Sequence, residues 1–328
     1  MEKVGYGNSH AKLILVGEHA VVYGVPAIAI PLKDIEVNVT TRGTGSSNYD
    51  LPTVQIESEL FTGSLQTAPE NLQNIEALVA KFMADFAADF NWPQELQLTI
   101  DSQIPFERGM GSSAAIATAV LKSLLDFTSM RLTDDQFNQL ITLEETIQHG
   151  NPSGLDALVV NADQGYFFQR GHAFLPLQLN LPGYLLIVDS GITGRTSEAI
   201  QKVAALHRDQ PQLWQAQMDR IAQLAPQVKT LLATDTTIAQ QQLGQLLTEN
   251  QAALESLQVS TPELDTLIHR LIIAGASGAK LTGGGLGGCV FGYFTDQATA
   301  KKAQEQFTEK TWLTELAADH HELEKNHE

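Results

Sequence analysis

The chain has 328 residues, 43% hydrophobic and 18% charged, a globular composition too long for one ordinary core, since single cores stop growing at roughly 250–300 residues. Its formal net charge of −18 excludes non-specific binding to nucleic acid or an anionic membrane, so any phosphate has to be captured by a few placed cations, backbone amides or a metal. The single cysteine, Cys289, excludes an intramolecular disulfide, and with no leader pattern and no apolar run of about 18 residues the expectation is a soluble, cytoplasmic protein.

In chain order, residues 11–32 are β-rich and are broken by Gly17, Gly24 and Pro26 into short strands and turns, and IEVNVTTR (35–42) alternates like an edge-facing strand. Residues 70–90 carry apolar groups at helical spacing, and ELQLTIDSQI (95–104) reads as a half-buried strand. SSAAIATAVLKSLLDF (112–127) is a helix opened by two serines. A second helix spans 132–150, with Thr133 as N-cap and Gly150 as stop. Residues 151–168 read as turn, short helix and strand, and 185–191 as a buried strand ending in a loop. From 195 to 274 the pattern is almost wholly helical, Gln-rich on its solvated faces, with Pro211, Pro226 and Pro262 near helix starts. The last third is strand, glycine loop and strand over 279–294, then a helix at 296–309. The expected class is α+β in two domains, 1–182 and 183–328, without internal repeats.

Four stretches carry chemistry. In PFERGMGSSAA (105–115), Gly109 and Gly111 allow a tight turn close to a ligand, and the helix that follows presents unpaired amides and its positive dipole end to an anion. Ser112 and Ser113 can add a hard hydroxyl oxygen for magnesium, although the spacing is not that of a standard P-loop. Lys12, Glu18 and His19 stand near strand ends, where side chains reach a site. In TLEETIQHGNPSGLDAL (142–158), Glu145 and Asp156 can divide metal binding from proton chemistry, while Glu144 and Glu145 equally suit an exposed helix face. Finally, AKLTGGGLGGCVFGY (279–293) packs five glycines between two strands where a hairpin needs one or two, which implies close approach to something, such as a nucleotide.

Three of these motifs, the lysine-bearing first strand, GMGSSAA and GGGLGGC, stand in the order of one superfamily, and the chain resembles the small-molecule kinases named for galactokinase, homoserine kinase, mevalonate kinase and phosphomevalonate kinase. Within it, LILVGEHAVVYGVPAIA, HGNPSGLDALV and VDSGITGRTSEAI (188–200) are similar to the mevalonate kinase family, in its shorter, bacterial type. Glu107, Arg108 and Met110 depart from the residues many members carry there. The resemblance implies an N-terminal ribosomal-protein-S5-like β/α domain that binds ATP, a C-terminal ferredoxin-like α+β domain with added helices, and transfer of a phosphoryl group from ATP to the 5-hydroxyl of mevalonate.

It further implies Asp156 as the general base and Lys12 as the cation that balances the charge of that aspartate and the alkoxide. Ser113 and Glu145 would ligate Mg²⁺, and Arg108, Gly109, Met110, Gly111, Ser112, Ser113, Ala114, Gly284 and Gly285 would line the ATP phosphates. Glu18, His19 and Thr196 would stand on the substrate side. Arg195 is added as the partner of the substrate carboxylate, because cations near the site are few. Another member of the superfamily, such as phosphomevalonate kinase or homoserine kinase, and a non-catalytic sensor of the same fold are the alternatives. A phosphorylated substrate would call for more local cations, and a sensor needs neither base nor metal. Whether the chain pairs as a homodimer is left open by the sequence.

Overall fold

The computed structural model describes residues 3–49, 51–149 and 154–316. They form two compact units that interleave along the chain: residues up to Ala11, Leu32–Pro105 and Gly111–Ala162 make the first, and Lys12–Pro31, Phe106–Met110 and the residues from Asp163 onward make the second. This differs from a single cut at 182/183, because 12–31, 106–110 and 163–182 fall in the second unit.

The elements that begin the chain are β1 (Val4–Val16), β2 (Ala27–Tyr49), β3 (Thr53–Glu57), β4 (Thr62–Ser64), α1 (Gln73–Asp85), β5 (Trp92–Ser102), α2 (Ser112–Thr128), α3 (Asp134–His149) and α4 (Leu155–Val159). The alternation of 35–42 is real, with Ile35, Val37, Val39 and Thr41 buried and Glu36 and Asn38 exposed, but the strand is not an edge. Within the first unit, β2 pairs antiparallel with β5 from Val37 onward, β5 pairs parallel with β3, and β3 pairs antiparallel with β4. The chain breaks between β1 and β2 over residues 17–26, as Gly17, Gly24 and Pro26 predict, but the strand that starts at Ala27 and the strand at 35–42 merge, because β2 runs unbroken through Pro31. That proline falls between the residues registered with β5 and those registered further back, where its missing N–H breaks neither of those ladders.

Helix α2 is apolar nearly all round and is the core helix of this unit, packed against α1, α3 and α4. Thr133 caps α3 as expected: its Oγ1 accepts from the Gln136 amide (3.3 Å) while Gln136 Oε1 accepts from the Thr133 amide (3.0 Å), a reciprocal capping box. Gly150 lies outside the described residues.

In the second unit, β6 (Tyr166–Phe168) pairs with Ala27–Ala29 of β2 and with β7 (Leu175–Pro176). There follow β8 (Tyr184–Asp189), α5 (Thr196–Asp209), α6 (Pro211–Leu232), α7 (Thr237–Ser256), α8 (Pro262–Ile273), β9 (Gly278–Leu281), β10 (Cys289–Phe294), α9 (Gln297–Gln304) and β11 (Thr311–Glu315). The sheet here is antiparallel in the order β11-β8-β10-β9, with α7 and α8 against its β9 side and α9 against β8 and β11. Continuous apolar runs in β8 and β10 fit this burial on both faces. Thr236, Thr261 and Asp296 cap α7, α8 and α9 with their side chains.

Two expectations are corrected here. Pro226 lies inside α6 rather than near a helix start, on the exposed side, where solvent can serve the carbonyl its missing N–H leaves. The helix expected over 296–309 ends at Gln304, because the chain turns to add β11 beside β8. Among the described residues, no helix is long and apolar enough to cross a membrane.

Candidate active site

In the first unit, α2 begins at Ser112 after Gly111, which takes a left-handed conformation (φ 75°) and caps the helix without a side chain. Ser112 is buried, and Ser113 Oγ accepts a hydrogen bond from Asn74 Nδ2 at 2.7 Å. That bond orients the Ser113 hydroxyl. Asn74, from α1, was not singled out in the sequence, because nothing in a helix-period run marks one asparagine as facing a serine 39 residues on. Asp156 is half-buried in the first turn of α4, which packs beside α2 and α3. Glu145 is on α3, and its side chain, like that of Glu144, lies outside the described residues, as do residues 150–153.

The second unit gathers the remaining candidates. Lys12 is buried on β1; its amide donates to Met110 O (3.0 Å) and its Nζ to Gly109 O (3.3 Å), so this lysine braces the turn that ends in Gly109 and Met110. Ala114, on the first-unit side of the loop, is buried with the helix. Gly109 has φ +82°, and a Cβ there would lie 2.4 Å from Thr282 O, while one on Gly283 (φ +78°) would lie 2.4 Å from Gly109 Cα. The turn at Gly109 and the glycine loop at 283–288 therefore touch backbone to backbone. The close approach implied by the five glycines is thus made, at least in part, to the chain itself. A Cβ on Gly284 would meet Thr196 Oγ1 at 2.4 Å and one on Gly285 would meet Val259 O at 2.2 Å.

His19 is half-buried, stands at φ 60° and ψ −36°, and donates from Nε2 to Gly284 O at 2.8 Å. Burial pushes its imidazole pKa below the ordinary value of 6.5, against the opposing pull of that carbonyl. Glu18 is fully buried and ion-paired with Lys280 of β9, also fully buried. Burial drives Glu18 up and Lys280 down, each toward its neutral form, and the partner's charge opposes the drift. Lys280 was missed in the sequence; its signal was a lone cation inside the buried strand GAKL.

Both arginines already have acidic neighbours. Arg108 Nε lies 2.9 Å from Asp189 Oδ1 at the end of β8, and Arg108 donates from its guanidinium to Gly191 O (3.2 Å). Arg195 donates to Glu198 Oε2 (2.7 Å) at the start of α5, and its amide donates to Gly285 O (3.3 Å). Among the described residues no cluster of three or more His, Cys, Asp or Glu could by itself cage a metal.

The model of the GHMP kinases N terminal domain matches residues 76–161, and that of the GHMP kinases C terminal region matches 237–312. Over 305 residues, 89% of each chain, the sequence is 30% identical to the mevalonate kinase of Pyrococcus horikoshii. The chain belongs to the mevalonate kinase family. Two solved structures add the fold: L. major mevalonate kinase in complex with R-mevalonate superposes with TM-score 0.77 at 22% identity, covering 96% of this chain and 95% of that one. Streptococcus pneumoniae phosphomevalonate kinase superposes with TM-score 0.72 at 17% identity, covering 94% of this chain and 99% of that one. Fold alone therefore does not separate these substrates; membership of the family does.

Proposed function

We propose that this protein transfers the γ-phosphoryl group of ATP to the 5-hydroxyl of mevalonate, giving 5-phosphomevalonate and ADP. The observation that carries this reading is the 30% identity to a mevalonate kinase across 89% of both chains. The bond from the substrate oxygen to Pγ forms as the bond from Pγ to the β,γ-bridging oxygen breaks, and the hydroxyl proton passes to Asp156. In such a loose transfer the protein's work is alignment and neutralisation of charge.

Each residue then has a role. Asp156 orients the hydroxyl and accepts its proton late. Lys12 offsets the negative charge of the reaction, and its bond to Gly109 O ties it to the loop 108–111. Residues 108–114 receive the phosphates at the N-terminus of α2, with Gly284 and Gly285 closing the nucleotide side. His19, with Glu18 beside it, and Thr196 face the substrate, and Arg195 exchanges its bond to Glu198 for the substrate carboxylate.

The donor set fits magnesium: the Ser113 hydroxyl, oriented by Asn74, is a hard oxygen, and Mg²⁺ bound through one or two protein oxygens and substrate phosphates needs no protein cage. Ser113 and Glu145 would hold it. When bound, the ion supplies charge neutralisation on the β- and γ-phosphates.

A coupled ADP-release assay with mevalonate, phosphomevalonate, homoserine and galactose tests the reading. Turnover with mevalonate alone is expected, and turnover with phosphomevalonate but not mevalonate overturns it. Asp156→Asn should lower kcat by about 10²–10⁴-fold while ATP still binds, as expected of a lost general base; wild-type turnover in that variant would remove Asp156 from the role.

A further inference from the structure

Lys280 and Glu18 are both fully buried, and each is the other's charge partner. Lys280 Nζ also donates to Leu281 O at 2.6 Å and stands 5.3 Å from the centre of the Phe291 ring. The roles above give Lys280 no part and place Glu18 only beside His19. For stability the pair is a poor choice, since a buried ion pair can usually be replaced by apolar groups without loss, whereas removing one partner alone strands a charge. It is also incompletely satisfied: Glu18 Oε2 is buried without a hydrogen-bond partner.

What the pair does have is position. The segment 14–19 and the segment 280–284 are joined by three rungs within the second unit. The Ile14 amide donates to Thr282 Oγ1 (3.1 Å), Lys280 pairs with Glu18, and His19 donates to Gly284 O (2.8 Å). The middle rung is the charged one, and it is followed at once by His19, whose φ of 60° is unusual for a residue with a side chain. A strained residue persists only where its surroundings over-determine it. We infer that Lys280 is a positioning residue: acting through Glu18, it fixes the 18–19 turn, and so sets His19 and the Gly284 carbonyl in the geometry that phosphoryl transfer requires. This rests on the kinase reading above.

The test is a double-mutant cycle of Glu18→Gln, Lys280→Met and the double variant, with kcat and KM for both substrates, and thermal melting to establish folding. Wild-type turnover with the substrate panel tests the kinase reading separately, and the cycle is run on whichever substrate the wild type accepts. A misplaced reacting group costs on the order of 10²-fold, so each single variant should lose kcat by roughly that factor. Because Lys280 acts through Glu18, the double variant should lose no more than Glu18→Gln alone. Losses that multiply would make Lys280 an independent contact and overturn the inference. So would folded Lys280→Met with wild-type kcat and KM. Should Lys280→Met fail to fold around its stranded carboxylate, the comparison of Glu18→Gln with the doubly neutral variant still decides, and collapse of that variant too would assign the pair to the fold.

Discussion

His19 has an imidazole whose pKa burial lowers from 6.5, and its Nε2–H is committed to Gly284 O. The sign of its effect on stability follows from linkage. Below about pH 6.5 the unfolded chain takes up a proton that the folded chain refuses, so unfolding is favoured progressively until the pH drops past the folded value. At pH 7 and above the group contributes nothing of this kind. Thermal midpoints measured from pH 8 to pH 5.5 should therefore fall less steeply in His19→Gln than in the wild type; identical slopes would show that His19 titrates freely in the fold. The same residue shows how the sequence can mark a site without its geometry. Glu18 and His19 stood out as adjacent polar groups between strands, but their partners, Lys280 and Gly284, are more than 260 residues away. Local spacing has no access to such a pairing.

At the scale of elements, Pro226 is the clearest departure from local rules. It lies on the exposed face of α6 and withholds one backbone hydrogen bond from the helix interior. A proline there costs about 3 kcal/mol relative to alanine in the folded state, against which it rigidifies the unfolded chain by about 0.4–1 kcal/mol. Pro226→Ala should thus stabilise the protein by roughly 2–3 kcal/mol in denaturant melts, and a destabilised variant would mean that a bend at this proline is required. The helices and the buried strands were legible because periodicity and caps are local: α2, α3 and β8 fall close to where apolar spacing, Thr133 and the run LLIVD place them. The continuity of β2 and the existence of β11 were not, because both depend on ladder partners. Trp312 and Leu313 are strand residues by virtue of Ile187 and Leu186 opposite them. In the site, the glycine and serine run of 109–113 was readable from composition, whereas Asn74 against Ser113 and Asp189 against Arg108 were not, since each pair joins distant elements.

For the whole molecule, the formal charge of −18 opposes both anionic substrates at long range. Screening sets in over about 10 Å at 0.1 M salt, so kcat/KM should rise as ionic strength increases from about 0.01 to 0.1 M at fixed free magnesium, the reverse of a basic enzyme steering the same anions. A fall over that range would mean that the local cations dominate the field. The interleaving of the two units bears on something else, the order in which the protein is made. Glu18 leaves the ribosome 262 residues ahead of Lys280. At roughly 5–20 residues per second, its carboxylate waits on the order of ten to fifty seconds for that partner. Through that interval the nascent chain can assemble the sheet around β5 and pair Ala27–Ala29 with β6, while the 18–19 turn still lacks Lys280 and Gly284. The turn that carries His19 is thus completed only once the last third of the chain has been made.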